Sequence, residues 1–173
     1  IGYVSGDYQF HSASFAFRPV LMHHDRDRFE IYCYSATTNP DQTTEWYRDE
    51  FRWRNLNHIA PEPLAEGIRR DGIDVLVDLS GHSKDNQLLA FTLKPAPVQV
   101  TAWGHALGTG LRAIDYLFSD PVVLPPSRRH RFAETVVDLP CVVCFEPQYP
   151  APDIPPRPAD RPPTFGAYHR LEK

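Results

Sequence analysis

The chain has 173 residues, enough for one domain with a genuine hydrophobic core and too few for two complete ones. Its formal charge of -4, from 18 Lys and Arg against 22 Asp and Glu, offers no basic face to a nucleic-acid backbone, and no apolar run reaches the roughly 18 residues of a membrane span. Neither nucleic acid nor membrane is therefore an expected partner. Three cysteines, an odd number, make no disulfide framework and point to a reducing cytoplasm, while Ile1 opens a strand pattern with no initiator Met and so is not expected to be a native start.

Taken in chain order, Ile1 to Val4 reads as a buried strand that runs into a Gly6-Asp7 turn and delivers His11 where a helix should begin. Ser12 to His23 carries helical apolar spacing, with Pro19 expected in an early turn or at a kink. Phe29 to Tyr34 alternates as a half-buried strand, Asp41 to Phe51 is a polar helix with Asp41 as N-cap, and Trp53 to Ile59 is a further strand. Pro61 to Asp71 starts on proline and stops at Gly72, the usual asymmetry of a helix, and Ile73 to Leu79 is an apolar run of the kind a central parallel strand shows. A turn at Ser80 to Lys84 precedes a helix from Asn86 to Leu93, then come a strand at Val98 to Trp103 and shorter ones at Tyr116 to Phe118 and Thr135 to Leu139. This alternation predicts an α/β fold, a Rossmann-like parallel sheet with helices on both faces, over residues 1–146. The proline-crowded stretch 147–163 reads as a stiff linker, and 164–173 as the first strand of a second, truncated lobe.

In a parallel sheet every strand ends at the same edge, and the loops there hold the ligand. Four of them carry a histidine, namely His11, His58, His82 and His105, and imidazole is the side chain suited to proton transfer near neutrality. Clustered histidines also suggest zinc, but these stand one per loop without Cys or Glu companions, and the lone Cys141-x-x-Cys144 pair lies in an apolar, strand-like run from Val136 to Phe145. No metal is expected. The loop Gly104 to Gly110 lets backbone N–H groups approach a phosphate or sugar, although its spacing is not the dinucleotide fingerprint, and Lys84 is a second anion contact. Asp7 reads either as a turn residue capping its own backbone, the favoured reading, or as the carboxylate that orients His11.

Several separate motifs then carry a resemblance: Gly2-Tyr3-Val4-Ser5-Gly6-Asp7 with His11, Asp71-Gly72-Ile73-Asp74 through Ser80-Gly81-His82, Lys94-Pro95-Ala96-Pro97-Val98-Gln99-Val100, Gly108-Thr109-Gly110 with Ile114-Asp115-Tyr116, and Phe165-Gly166 with Leu171 and Lys173. In this order the chain resembles the catalytic region of the O-linked N-acetylglucosamine transferases, glycosyltransferase family 41, and covers only the first of that family's two Rossmann-like lobes. The resemblance implies a GT-B architecture and inverting transfer of N-acetylglucosamine from UDP-GlcNAc to Ser or Thr of an acceptor protein, with no cofactor and no required metal. By position it makes His11 and Asp7 candidate catalytic bases and assigns Lys84, Gly104, His105, Arg170 and Lys173 to substrate and donor binding, Lys173 as the cation at the donor's diphosphate. It also implies missing partners in the parent chain: the second lobe and upstream tetratricopeptide repeats. This piece alone is expected to be inactive. The family's Tyr-Thr-Lys is His82-Ser83-Lys84 here and its Leu-Gly-Tyr-Pro is Trp103-Gly104-His105-Ala106, which leaves open the same fold with another nucleotide sugar, fucose or glucose, or a non-catalytic lobe that binds peptide or carbohydrate.

Overall fold

A computed structural model describes residues 1–104 and 107–145 together with the isolated positions 153, 156, 162, 165 and 166. The proline-rich stretch and the proposed start of a second lobe thus lie, but for those positions, outside the described residues. Among the described residues there are seven strands and four α-helices: β1 (Gly2–Ser5), α1 (Ser12–Met22), β2 (Tyr32–Ser35), α2 (Gln42–Glu50), β3 (Arg52–Asn55), α3 (Pro61–Arg70), β4 (Val75–Asp78), α4 (Leu88–Thr92), β5 (Val98–Thr101), β6 (Tyr116–Ser119) and β7 (Thr135–Asp138). Every pairing among them is parallel, and the spatial order is β3-β2-β1-β4-β5-β6-β7. This is the Rossmann-like sheet expected from the alternation, with its reversal of strand order between β1 and β4.

Alternate residues of each strand feed two cores. On one face Tyr3, Cys33 and Val77 meet Phe17 and Leu21 of α1 and Tyr47 of α2; on the other Val4, Tyr34 and Leu76 meet Leu64 and Ile68 of α3 and Phe91 of α4. Helices therefore cover both faces. Each fully buried aliphatic or aromatic side chain contributes about 1.5–3 kcal/mol of transfer free energy.

Boundaries differ from the sequence reading where the chain turns early. β3 stops at Asn55, because Leu56 drops into the core and His58 adopts φ +63°, which no strand tolerates. α4 begins only at Leu88, since Gln87 before it, at φ -119° and ψ 25°, is still outside the helical range. The apolar run beyond Val136 leaves the sheet at Asp138, so Cys141 and Cys144 lie in irregular chain, where the Cys144 thiol donates to the Ala16 carbonyl at 3.2 Å. Pro19 sits in the interior of α1, and a short 3-10 helix over Pro126–Arg131 has no counterpart in the sequence reading. No helix among the described residues is long and apolar enough to cross a membrane. At the two edges of the sheet, Arg52 and Arg54 of β3 pair with Glu30 and Asp71 at 2.7 Å each, and Arg129 pairs with Asp138 of β7 at 2.6 Å.

Asp41 does more than cap α2. Its Oδ1 accepts the Thr44 N–H at 3.0 Å while the Thr44 hydroxyl accepts the Asp41 N–H, a full capping box, and its Oδ2 accepts the Phe10 N–H at 2.7 Å. Its desolvation raises the carboxyl pKa, but the N–H donors of Phe10 and Thr44 outweigh that and leave it below the usual range. A depressed folded-state pKa means that the stabilisation is present above pH ~4 and is lost as pH falls through the lowered value. Asp41→Ala is expected to cost about 1–2 kcal/mol in urea unfolding at pH 7, with a smaller difference from wild type at pH 3. An equal cost at both pH values would assign the effect to shape rather than charge.

Candidate functional site

The loops after β1, β4 and β5 meet at the carboxyl edge, where the strand order reverses. Here the β1 loop is tied down from several sides. The Gly6 N–H donates to Ser80 Oγ at 3.2 Å, and the Thr37 hydroxyl donates to the Gly6 carbonyl at 3.0 Å while accepting the Tyr8 N–H at 3.1 Å. Tyr8 is fully buried, with its hydroxyl donating to the Tyr3 carbonyl at 2.9 Å, and the Thr44 hydroxyl of α2 donates to the Tyr8 carbonyl at 2.6 Å. Phe10 is held by Asp41, as above. A segment anchored at Gly6, Tyr8 and Phe10 presents Asp7 and His11 in one fixed arrangement.

His11 is the N-cap of α1, with φ -143° and ψ 150°, and its ring reaches back over the helix start. Nδ1 lies 3.3 Å from the Ala13 N–H and 3.4 Å from Asp7 Oδ1. These two contacts are chemically exclusive. Accepting from Ala13 needs the Nδ1 lone pair and puts the ring proton on Nε2; donating to Asp7 needs a proton on Nδ1 and leaves the lone pair on Nε2, ready to take a proton from a substrate. The Asp7 side chain is 20% exposed against 46% for His11, so the carboxylate stands behind the ring and the imidazole faces solvent. The favoured sequence reading of Asp7 as a backbone cap is not what the structure shows. That role falls to Ser5, whose Oγ accepts the Asp7 N–H at 2.9 Å.

The β4 loop is built on Asp78, a fully buried carboxylate at the end of the strand. It accepts the Ser80 N–H at 3.1 Å, the Gly81 N–H at 3.0 and 3.1 Å on its two oxygens, and the Thr101 hydroxyl of β5 at 2.8 Å. The turn continues through a bond from the Ser83 hydroxyl to the Ser80 carbonyl, and it carries His82 and Lys84. His82 is exposed, with Nε2 2.9 Å from the Thr109 carbonyl. The Lys84 side chain is 84% exposed, its ammonium 3.9 Å from Asp85, which leaves the charge turned outward over the edge. A Cβ placed on Gly6 would lie 3.0 Å from Asp85 Cβ and 3.3 Å from the Lys84 carbonyl, so the first and second loops are in direct contact.

After β5, Trp103 takes φ +52° and the Gly104 N–H donates to the Ala102 carbonyl at 2.6 Å, a tight γ-turn of the strained hand. A Cβ on Gly104 would fall on the Leu79 carbonyl, which is the physical reason for glycine there. His58 does not join this group: it lines a separate open groove of about 490 Å³ with Thr38, Asn57, Asp85 and Gln87. His105, Arg170 and Lys173 lie outside the described residues. Asp78 and Glu134, the latter buried behind Thr109, escaped the sequence reading as site-building groups. A charge ending the apolar run Ile73 to Val77 was a signal for Asp78; Glu134 has no local signal, because its partners lie 24 and 25 residues away.

Residues 1–144 match the model of glycosyl transferase family 41. The chain is 36% identical over its full length to the probable UDP-N-acetylglucosamine--peptide N-acetylglucosaminyltransferase SPINDLY of Arabidopsis thaliana, and 31% identical over 81% of its length to the UDP-N-acetylglucosamine--peptide N-acetylglucosaminyltransferase of Caenorhabditis elegans. It spans 20% and 12% of those two proteins. Among solved structures, a K341M mutant of the Thermobaculum terrenum O-GlcNAc transferase superposes with a TM-score of 0.84 at 39% identity, covering 90% of this chain and 30% of that one. A match over residues 1–144, on a sheet whose loops converge on Asp7, His11 and Gly104, places this chain in glycosyl transferase family 41.

Proposed function

We propose that this lobe forms the acceptor side of the cleft in an inverting protein O-glycosyltransferase that moves N-acetylglucosamine from UDP-GlcNAc to Ser or Thr. The observation that carries this is the Asp7–His11 pair, held at 3.4 Å on the carboxyl edge of the sheet. A Ser or Thr hydroxyl is a poor nucleophile until a base takes its proton as the bond to the sugar forms. His11 with its proton on Nδ1 is such a base at Nε2, and the imidazolium formed there is stabilised by the Asp7 carboxylate. The leaving diphosphate is met by cations, Lys84 on this edge with Arg170 and Lys173 further along the chain, so the reading calls for no metal and no cofactor. In this reading residues 147–163 link the lobe to a second one starting at 164, and tetratricopeptide helices elsewhere in the protein recruit acceptors. Free cysteines at 33, 141 and 144 suit a cytoplasmic setting.

A second reading keeps the chemistry and changes the sugar, because His82 and Trp103 stand where the resembling family has Tyr and Leu. One experiment separates the two. The full-length protein, offered UDP-GlcNAc, UDP-glucose and GDP-fucose with cell extract as acceptor, is expected to incorporate sugar from UDP-GlcNAc at least about tenfold faster than from the others. Preference for another donor selects the second reading, and no transfer from any donor would leave a lobe that only binds.

A further inference from the structure

Glu134 lies one residue before β7, 4% exposed, with no cation paired to it among the described residues. Its Oε1 accepts three hydrogen bonds, from the Thr109 N–H and the Thr109 hydroxyl at 2.5 Å each and from the Gly110 N–H at 3.2 Å. Oε2 has no hydrogen-bond partner among the described residues and faces Gly108, where an added Cβ would stand only 2.7 Å from it. The carboxylate thus gathers the donors of Thr109 and Gly110 to the inside of the loop.

With those donors drawn inward, the Thr109 carbonyl is used by His82, whose Nε2 is 2.9 Å away. A carbonyl oxygen can only accept, so this contact requires the proton on Nε2. The neutral ring is thereby left with its lone pair on Nδ1. Gly108 and Gly110 flank Thr109 and give it little conformational preference of its own, and the buried carboxylate supplies it.

We propose that Glu134 is a positioning residue for the donor: by clamping Thr109 it fixes the segment from Gly108 to Gly110 and the tautomer of His82, which together shape the sugar side of the cleft. The inference rests on the transferase reading above and puts this segment beside the nucleotide sugar. Glu134 itself touches neither substrate.

The test uses the full-length protein and the variants E134Q, T109V and T109S, with steady-state constants for donor and acceptor measured separately. E134Q is expected to raise the donor KM about tenfold, the order expected for weakening one charge-assisted hydrogen bond, while the acceptor KM and the melting temperature stay near wild type. T109V, which loses the hydroxyl contact, should follow E134Q, and T109S should restore the donor KM. In 15N-histidine NMR the His82 signal, assigned with H82Q, should show the Nε2-protonated ring in wild type and a tautomer mixture in E134Q. A folded E134Q with unchanged donor KM, or a His82 signal identical to wild type, overturns the proposal. If E134Q does not fold, equal donor KM values for T109V and T109S overturn it instead. Should the wild type transfer no sugar at all, the transferase reading falls, and the His82 spectra of wild type and E134Q still decide whether Glu134 sets the ring.

Discussion

Transfer by a His11→Ala variant of the full-length protein is expected to fall at least about 10²-fold in kcat, with the donor KM within about threefold of wild type. The separation follows from where His11 sits. Its ring is about half exposed and makes one weak cap to Ala13, so its removal costs the fold no more than about 1 kcal/mol and leaves the donor-side loops alone. What alanine removes is the only group on this loop whose lone pair can be placed at Nε2 by a carboxylate behind it. Asp7→Asn should be milder, because the amide oxygen can still accept the Nδ1 proton but carries no charge to stabilise an imidazolium. Combining the two changes should do no more damage than His11→Ala alone, since Asp7 acts through the ring. A His11→Ala protein that transfers within threefold of wild type, or a double variant much worse than the single, would refute the assignment of the base.

The largest effect on stability is expected from Asp78→Ala, about 3–5 kcal/mol, read as a fall in melting temperature of the order of 10 °C. Its carboxylate satisfies two backbone N–H groups and a threonine hydroxyl inside the protein, and each buried donor left without a partner costs about 1–3 kcal/mol. Asp78→Asn should lose about half as much, because one oxygen still accepts from the turn and the Thr101 hydroxyl can rotate to accept from the new amide. The turn that Asp78 organises carries His82 and Lys84, so the alanine variant should also lose transfer at temperatures where it remains folded. Melting within 2 °C of wild type would mean that Gly81 and Ser80 hold the turn without it.

How much of this was legible in the sequence depends on how far apart the interacting residues are. The order of strands and helices follows from local periodicity, and the start of α3 from a proline followed by helix formers, so these matched the structure closely. The parallel arrangement put Asp7, His11, His82, Lys84 and Gly104 on one edge from strand order alone. The end of β3 and the start of α4 were missed because His58 adopts left-handed backbone and Gln87 stays outside the helical range, which only the tertiary setting of these residues determines. Asp7 was read as a local cap because the nearer competitor for its N–H, Ser5 Oγ, and the return of the His11 ring depend on how the loop is anchored by Thr37 and Asp41, some 30 residues away. Glu134 was invisible for the same reason. A glutamate between Ala133 and Thr135 looks like any surface charge until the fold buries it behind Thr109.

The arginines along the outermost strands bear on a different hazard. An open parallel sheet exposes unsatisfied N–H and C=O groups at each end, and such edges recruit strands from other molecules and seed aggregates. Here β3 is four residues long and carries Arg52 and Arg54, while Asp138 at the end of β7 is joined to Arg129. A strand docking on β3 would meet these charged side chains and their Glu30 and Asp71 partners. A four-residue edge strand whose charged side chains are tied to neighbouring carboxylates is a poor template for a further strand.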